Sequence, residues 1–392
     1  MKMKSVPVLA SSILALLGGA LLSVAPAAAC SVPVFRYALE RWPVDDYLAV
    51  VFHSGPLTEE GKRIVRRLKG QSEETLVRVN LSVKTADLAR LEEDPLRDLW
   101  DSIPEANPPW IVLLYGPESA AQGVAWSGAL SEANAASILD SPARRTIFER
   151  LLAGDSAVWL LLESGDAARN NAARERLSAT LDAMEREMQL PEIAPEDREI
   201  LWGDEEAGPP LRIDFSTVRV NRADPAEEVL ASTLLRSEPD LLDDAFTSEP
   251  MVFPIYGRGH ALYALAGKGI TEANLLMAGQ FITGPCSCEI KALNPGFDLL
   301  MRNDWDDFLG ASAIPSMELQ YLANRSQAAG QRPEGGGIAP VETAGSAPSR
   351  RSDERPLARS PVARSVLATV AVLFLATGVC SFFFVRKRSV KD

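Results

Sequence analysis

The chain has 392 residues, enough for two modest domains, and 46% of them are hydrophobic, enough to fill two cores. Its formal net charge of −13 would repel nucleic-acid phosphates. No basic patch interleaved with aromatic residues appears along it, so we expect no nucleic-acid partner. The two histidines in the chain exclude a three-histidine metal site, and we predict no cofactor.

Residues 1–29 are predicted to be a signal peptide. Two lysines precede an apolar run, and Ala-Pro-Ala-Ala-Ala ends at Ala29. Cleavage there leaves Cys30 at the new N-terminus. Lipidation of Cys30 is the alternative, but Ala27 stands where a larger aliphatic residue is usual.

Residues 30–153 are predicted to form a first α/β unit. Its expected elements, in chain order, are a buried strand Tyr47–His53, a helix from Thr58 to about Lys69, a strand Thr75–Val79, a helix near Ala86–Leu91, a strand beginning at Trp110, a second strand near Val124, and a helix from Ser131. A further helix near Ala143–Leu152 closes the unit. Alternating strands and helices are typical of a layered α/β domain.

Residues 154–283 are predicted to form a second unit, with a Pro- and acid-rich insertion at about 191–210. Its expected elements are a strand Ala157–Leu162, a helix Ala167–Met188, a strand Leu211–Val220, a helix near Ala226–Leu235, a strand from Met251, and a helix from Thr271. Residues 284–327 are interpreted as an appendix that contains two cysteines, with a turn signal at Asn294-Pro295-Gly296.

The two units share an ordered pattern of proline, buried strand, glycine turn, second strand, glycine and capped helix. The first copy begins at Pro109 and the second at Pro250. This order resembles the C-terminal half of a thioredoxin fold, in which a cis-proline stands at that position. The resemblance implies an α/β fold with two thioredoxin-like three-layer units in tandem.

The cysteine pair that the thioredoxin family uses for redox chemistry is missing from both units. That pair, CxxC, stands at the N-terminus of the first helix, where the helix stabilises a thiolate. The matching stretches are Ser54-Gly55-Pro56-Leu57 and Ser164-Gly165-Asp166-Ala167. His53 neighbours Ser54, but a catalytic pair also needs the right geometry and an orienting carboxylate. We therefore predict two redox-inactive units without catalytic residues.

Three cysteines, Cys30, Cys286 and Cys288, are expected outside the cytoplasm. One interpretation is a structural disulfide from Cys30 to Cys286 or to Cys288, which leaves an odd thiol. A strained bond between Cys286 and Cys288 would instead be redox-active. A three-thiolate site for a soft metal such as Cu(I) is the third alternative.

The C-terminal part is predicted to anchor the protein in a membrane. Residues 328–365 have the composition of a disordered linker. Residues 366–385 form an uncharged apolar run that would span about 30 Å as a transmembrane helix. The basic tail 386–392 is expected in the cytoplasm. The protein would then be a single-pass protein of the cell membrane, with its N-terminal body outside the cytoplasm.

Three further segments, Cys30–Trp42, Gly257–Gly259 and Gly284–Cys288, are similar to a group of uncharacterised bacterial exported, membrane-anchored proteins. The leading hypothesis is an extracytoplasmic binding or assembly module with a protein partner in the membrane or outside the cytoplasm. The alternative is a thiol-disulfide oxidoreductase or soft-metal-handling protein that uses Cys286 and Cys288 with Cys30.

Overall fold

In a computed structural model, the chain divides into two compact units, residues 1–331 and 332–392. The structure describes residues 31–71, 78–91, 94–195, 197, 211–286 and 290–309, all within the first unit. They form a mixed α/β body with a four-stranded and a six-stranded sheet. The predicted signal peptide, linker, transmembrane helix and basic tail lie outside the described residues, as does most of the predicted insertion.

The first sheet follows a short helix, α1 (Val34–Arg41). Its elements are β1 (Tyr47–His53), α2 (Glu59–Leu68), β2 (Leu81–Asp87), α3 (Pro95–Asp101), β3 (Trp110–Leu114), β4 (Val124–Ala129) and α4 (Glu132–Leu139). The strand order is β2-β1-β3-β4. β1 runs parallel to β2 and antiparallel to β3, and β3 is antiparallel to β4.

The second sheet follows α5 (Pro142–Leu152) and repeats this arrangement. Its elements are β5 (Ala157–Glu163), α6 (Ala167–Glu187), β6 (Phe215–Asn221), α7 (Glu228–Leu235), β7 (Met251–Tyr256), β8 (His260–Ala261), β9 (Leu265–Ala266), α8 (Glu272–Thr283) and β10 (Phe297–Asp298), followed by α9 (Trp305–Leu309). β5 is parallel to β6 and antiparallel to β7, and both β8 and β9 pair with β7. β10 pairs with β8 at the edge of the sheet.

The last helix of each repeat begins in the same way. In the first repeat the Ser131 hydroxyl accepts from the Asn134 N–H at 3.2 Å, and the Asn134 amide donates to the Ala129 carbonyl at 2.8 Å. In the second repeat Thr271 accepts from the Asn274 N–H at 3.2 Å, and Asn274 donates to Gly269 O at 2.8 Å. These caps satisfy amides that helix formation leaves without partners. The repeat seen in the sequence is therefore also a repeat of local structure.

The central strands of the first sheet confirm the sequence interpretation. β1 has the predicted bounds, and its apolar run is buried on both faces, as expected of a strand with a parallel neighbour. The strand beside it, β2, begins at Leu81 and was not predicted. Most of the predicted strand Thr75–Val79 lies outside the described residues. β2 is an edge strand with alternating polar side chains, which gives no continuous apolar run to detect.

The helix predicted near Ala86–Leu91 is a single 3-10 turn, Leu88–Arg90. Ala86 still belongs to β2, and the Asp87 carboxylate caps the turn by accepting from the Ala89 N–H at 3.2 Å. An Asp cap followed by only three helical residues satisfies the local amides, so the chain can turn without forming a longer helix.

A single hydrophobic core joins the two sheets. It contains side chains from both, including Val51 and Ile111 of the first and Leu160 and Phe253 of the second, together with buried residues of α5 and α7. Helix α7 belongs to the second repeat but is hydrogen-bonded to the first. The Ser232 hydroxyl donates to Ala125 O of β4 at 2.8 Å. The other faces of the sheets carry separate apolar clusters.

Residues 297–303 cross from the second sheet to the first. β10 lies in the second sheet, and the Asn80 amide of the first repeat donates to Leu299 O at 3.1 Å. The Asn80 side-chain oxygen accepts from the Met301 N–H at 2.9 Å, and Asn80 is fully buried. Arg144 of α5 donates to Leu300 O at 2.9 Å. We call residues 297–303 the strap, because they hydrogen-bond to both repeats.

Candidate functional site

Four ionisable side chains, one of them in the strap, meet to form what we call the charge cluster. Asp45 precedes β1, His260 opens β8, Lys291 lies in a 3-10 turn, and Asp298 belongs to β10. His260, Lys291 and Asp298 are only 3%, 6% and 4% exposed. Buried charges are costly unless they are paired and hydrogen-bonded, so their contacts decide what the cluster can do.

Lys291 connects both carboxylates of the charge cluster. Its Nζ lies 2.8 Å from Asp45 Oδ1 and 2.5 Å from Asp298 Oδ2, and it donates to Pro43 O at 2.7 Å. The Asp45 backbone N–H also donates to Asp298 Oδ2, at 2.7 Å. The three hydrogens of the ammonium group therefore match three oxygen acceptors.

His260 is held at both ring nitrogens. Nδ1 lies 2.8 Å from Asp298 Oδ1, and Nε2 lies 3.0 Å from the Pro295 carbonyl oxygen. The ring also meets Trp42 and Tyr256 edge to face. Both ring nitrogens therefore face acceptor oxygens, which fix the orientation of the ring.

The pKa values of the cluster follow from burial and from its own charges. Burial alone would raise the pKa of Asp298, but the Lys291 ammonium and the His260 hydrogen bond hold it well below its usual range. Burial and the nearby Asp298 charge raise the pKa of Asp45 and outweigh the effect of Lys291. Burial opposes the charge on Lys291, yet the two carboxylates raise its pKa. Lys291 is thus kept as an ammonium ion, which is not a nucleophile.

The charge cluster lies at one side of a cavity of about 400 Å³. Asp45, His260 and Lys291 line it. The remaining wall consists of Pro43, Pro117, Glu118, Ser119, Ala120, Gln122, Ala292, Asn294 and Gly296. The Asp45 side chain is 18% exposed, more than those of the other cluster members. Ser119 also lines the cavity; it is 7% exposed, and its hydroxyl has no hydrogen-bond partner among the described residues. The cavity wall therefore contains the partly exposed Asp45 carboxylate beside Lys291, which is already ion-paired.

At the first junction of strand and helix, between β1 and α2, local hydrogen bonds are already satisfied. His53 Nδ1 lies 2.7 Å from Gly55 O, so the ring is held by the backbone next to Ser54. The Thr58 hydroxyl caps α2 by accepting from the Gly61 N–H at 3.1 Å. The Asp87 carboxylate stands opposite His53 in the sheet and accepts from the Gly55 N–H at 3.3 Å. That neither Ser54 nor His53 is catalytic stays a prediction.

The second junction, between β5 and α6, is capped by a carboxylate. Asp166 Oδ1 accepts from the Ala168 and Arg169 N–H groups at 3.0 and 3.1 Å. Ser164 is buried and its hydroxyl lies 3.1 Å from Asn170 Oδ1. Arg169 forms ion pairs with Asp166 and with Glu249, the residue before Pro250. The helix N-terminus that would stabilise a thiolate is thus occupied by a side-chain anion.

The two fold-matching prolines differ in peptide geometry but share a backbone role. The Pro108–Pro109 peptide bond is cis, whereas the Glu249–Pro250 bond is not. Pro109 O accepts from the Leu130 N–H at 3.0 Å, and Pro250 O accepts from the Gly267 N–H at 2.9 Å. The resemblance placed a cis-proline at both positions, and the structure has it at the first alone.

Of the three cysteines singled out in the sequence, Cys286 lies within the described residues, and Cys30 and Cys288 lie outside them. Cys286 is 1% exposed, and its N–H donates to Val32 O at 2.8 Å. Within the described ranges, no three His, Cys, Asp or Glu side chains are grouped as metal ligands would be. The structure brings the described cysteine into the core rather than to the cavity.

No protein-family model matches the chain, and a search of curated proteins gives no significant match. Among solved structures, crystal form I of ERdj5, a thioredoxin-fold protein, matches at 12% sequence identity with a TM-score of 0.19. The match covers 69% of this chain and 32% of the ERdj5 chain, so it spans about a third of that protein. A TM-score of 0.19 is too low to indicate a shared overall architecture.

Within the part of the chain that the structure describes, the helices are too short or too polar to cross a bilayer. The predicted span 366–385 is not among those residues.

The charge cluster was missed by sequence reasoning. Its members stand at positions 45, 260, 291 and 298 and share no motif or spacing. Asp45 belongs to an acidic pair of the kind usually found on solvated faces, and His260 follows a glycine turn. The scarcity of histidine was a weak signal for this site, because the chain has only two histidines that could take part in a buried charged cluster. Tertiary contacts alone bring the four side chains together.

Proposed function

We propose that the protein is an extracytoplasmic, membrane-anchored binding or assembly module built from two redox-inactive thioredoxin-like units. Two observations support the thioredoxin-like part. The order strand, helix, strand, helix, hairpin, helix occurs twice, and the two sheets have the same central strand arrangement. Each repeat also has a proline before its third strand and a capped last helix.

The capping of the two helix N-termini supports the proposal that the units do not exchange disulfides. Thr58 and Asp166 already cap the helices where a reactive thiolate would sit, and both positions lie in stretches without cysteine. A thiolate at the second junction would stand beside the Asp166 carboxylate, which raises rather than lowers a thiol pKa. We therefore propose that the two units serve to bind a partner or ligand.

The charge cluster and cavity support binding rather than catalysis. His260 has both nitrogens engaged, and Lys291 is paired with two carboxylates. Groups held in this way are suited to orienting a ligand and balancing its charge. A cavity of about 400 Å³ lies within the size range of small-ligand sites.

The location outside the cytoplasm rests on the signal-like residues 1–29, the apolar run 366–385 and the basic tail 386–392. The partner is expected to be another protein of the membrane or of the extracytoplasmic space. It would meet a folded body carried on the linker 328–365.

An insulin-reduction assay with the full chain in detergent tests the proposal. We expect no acceleration over dithiothreitol alone. Turnover at a level comparable to thioredoxin would overturn it. The alternative function, thiol exchange or soft-metal handling, gains no support from Cys286, because a buried structural cysteine is inert in exchange reactions.

A further inference from the structure

The cavity beside the charge cluster offers acceptors rather than donors to a ligand. Asp45 Oδ1 is bound to Lys291, while its second oxygen, Oδ2, has no hydrogen bond within the described residues. Gln122 donates its Nε2 to Ser119 O, which leaves its Oε1 as an acceptor at the rim. Both oxygens belong to residues that line the same cavity.

The basic side chains that line the cavity already have acceptor partners. Lys291 faces three oxygen acceptors, and His260 faces a carboxylate and a carbonyl. An anionic ligand would have to break one of these buried pairs, which is strongly unfavourable. A cationic ligand could instead add a charge-assisted hydrogen bond to Asp45 without disturbing Lys291.

We propose that this cavity binds a small organic cation, with an ammonium or guanidinium N–H donating to Asp45 Oδ2. The inference rests on the proposed binding function and names its ligand class. The cavity of about 400 Å³ suits a ligand of small-metabolite size.

The electrostatics of Asp45 agree with this ligand class. Burial and the Asp298 charge raise the pKa of the Asp45 carboxyl, while Lys291 and His260 oppose that rise. A cation on the second oxygen would favour the ionised form of Asp45. Binding should therefore weaken as the pH falls through the range in which Asp45 takes up a proton.

Isothermal titration with three probes of similar length tests the proposal: agmatine as the cation, glutarate as the anion and 1,4-butanediol as the neutral compound. The full chain in detergent should bind agmatine at one site and show no saturable binding of the other two. Equal binding of agmatine and glutarate, or no binding of agmatine, would overturn the proposal.

Substitutions place the binding in this cavity. Gln122→Glu adds a carboxylate at the exposed rim and should tighten agmatine binding about fivefold, as expected from about 1 kcal/mol between charges about 4 Å apart in water. Gln122→Lys should weaken it by a similar factor. The exposed Gln189→Lys is a matched control and should leave it unchanged.

Asp45→Asn should weaken agmatine binding at least tenfold, since it removes a charge-assisted hydrogen bond. Because Asp45 also contacts Lys291, the folding of the Asp45→Asn variant is checked by circular dichroism. If that variant is unstable, the Gln122 variants decide whether the ligand binds in this cavity. Agmatine affinity that is the same in all Gln122 variants would place the site elsewhere and refute the proposal. Neither result depends on insulin reduction, so failure here is distinguishable from failure of the proposed function.

Discussion

At the residue scale, Asp298 does the most to hold the site together. Its carboxylate accepts from Lys291, His260 and the Asp45 backbone, and its own carbonyl accepts from the Tyr47 hydroxyl at 2.8 Å. These contacts join β10 to the first repeat and to β8. A buried carboxylate with several donors is stabilising as long as its partners remain, and costly to remove.

We expect Asp298→Asn to lower the free energy of unfolding by about 3–5 kcal/mol at pH 7, because it leaves Lys291 and His260 with one buried anion fewer. Urea unfolding followed by circular dichroism measures the change. Asp182→Asn, on the exposed side of α6, is the control and should fall within about 0.5 kcal/mol of the natural protein. A loss below 1 kcal/mol for Asp298→Asn would contradict the role given to this carboxylate.

The same comparison has a predicted pH dependence. The folded pKa of Asp298 is depressed, so its contribution is present above the ordinary carboxyl pKa near 4 and is lost as the pH falls toward the folded value. Burial raises the pKa of Asp45, which acts in the opposite sense, but Asp45 is present in both proteins and its contribution largely cancels in the comparison. The difference between natural protein and Asp298→Asn should therefore shrink between pH 5 and pH 3. A constant difference over that interval would contradict the prediction.

At the element scale, the strands that could be predicted are those whose apolar runs are buried on both faces, such as β1 and β5. Helix starts with a Ser or Thr cap, such as those of α4 and α8, could also be predicted from local sequence. β2 could not be predicted, because an edge strand with alternating polar side chains lacks a continuous apolar run. The charge cluster could not either, since Asp45 and Asp298 meet only after both repeats have packed.

The N-terminal segment pairs with the end of the second repeat in a defined register. Pro33 lies opposite Pro285, the Val34 N–H donates to Gly284 O at 2.9 Å, and the Cys286 N–H donates to Val32 O at 2.8 Å. In an antiparallel pair, each step back on one strand is a step forward on the other. In this register Cys286 stands opposite Val32, two residues from Cys30, and both Cys30 and Cys288 lie outside the described residues.

We therefore predict a disulfide between Cys30 and Cys288 rather than between Cys30 and Cys286. Because Cys286 is opposed by Val32 and buried in the core, it is the less suitable partner for Cys30. Mass mapping of the non-reduced protein should find the N-terminal peptide linked in the natural chain and in Cys286→Ser. The link should be lost in Cys288→Ser. Retention in Cys288→Ser together with loss in Cys286→Ser would show the opposite pairing.

The two strand-to-helix junctions should differ in their capacity for redox chemistry. Ser54→Cys/Leu57→Cys places two thiols beside α2, whose cap is an uncharged threonine. Ser164→Cys/Ala167→Cys places them beside the Asp166 carboxylate and removes a buried serine. We expect the first double variant to gain activity in insulin reduction and the second to remain at least tenfold lower. Equal activities would show that the caps do not control thiolate chemistry here.

At the scale of the whole molecule, the shared core makes the two repeats a single cooperative unit. Phe148 of α5 is 2% exposed and lies 4.4 Å, centroid to centroid, from the ring of Trp305 in α9. The same core contains buried residues of β1 and β5, one strand from each sheet. The strap adds hydrogen bonds from Asn80 to residues beyond β10. Neither sheet keeps its packed inner face if the other unfolds.

We predict that β1 and β5 lose protection from hydrogen exchange together as urea is raised, with one free energy of opening for both. Phe148→Ala should lower that free energy by about 3–5 kcal/mol in both strands at once, since the cavity it leaves lies in the core they share. Met277→Ala, at a side chain that is 61% exposed on α8, is the matched control and should change neither strand. If Phe148→Ala destabilised β5 while β1 kept its protection, the repeats would be independent domains. The strap would then act only as a tether between them.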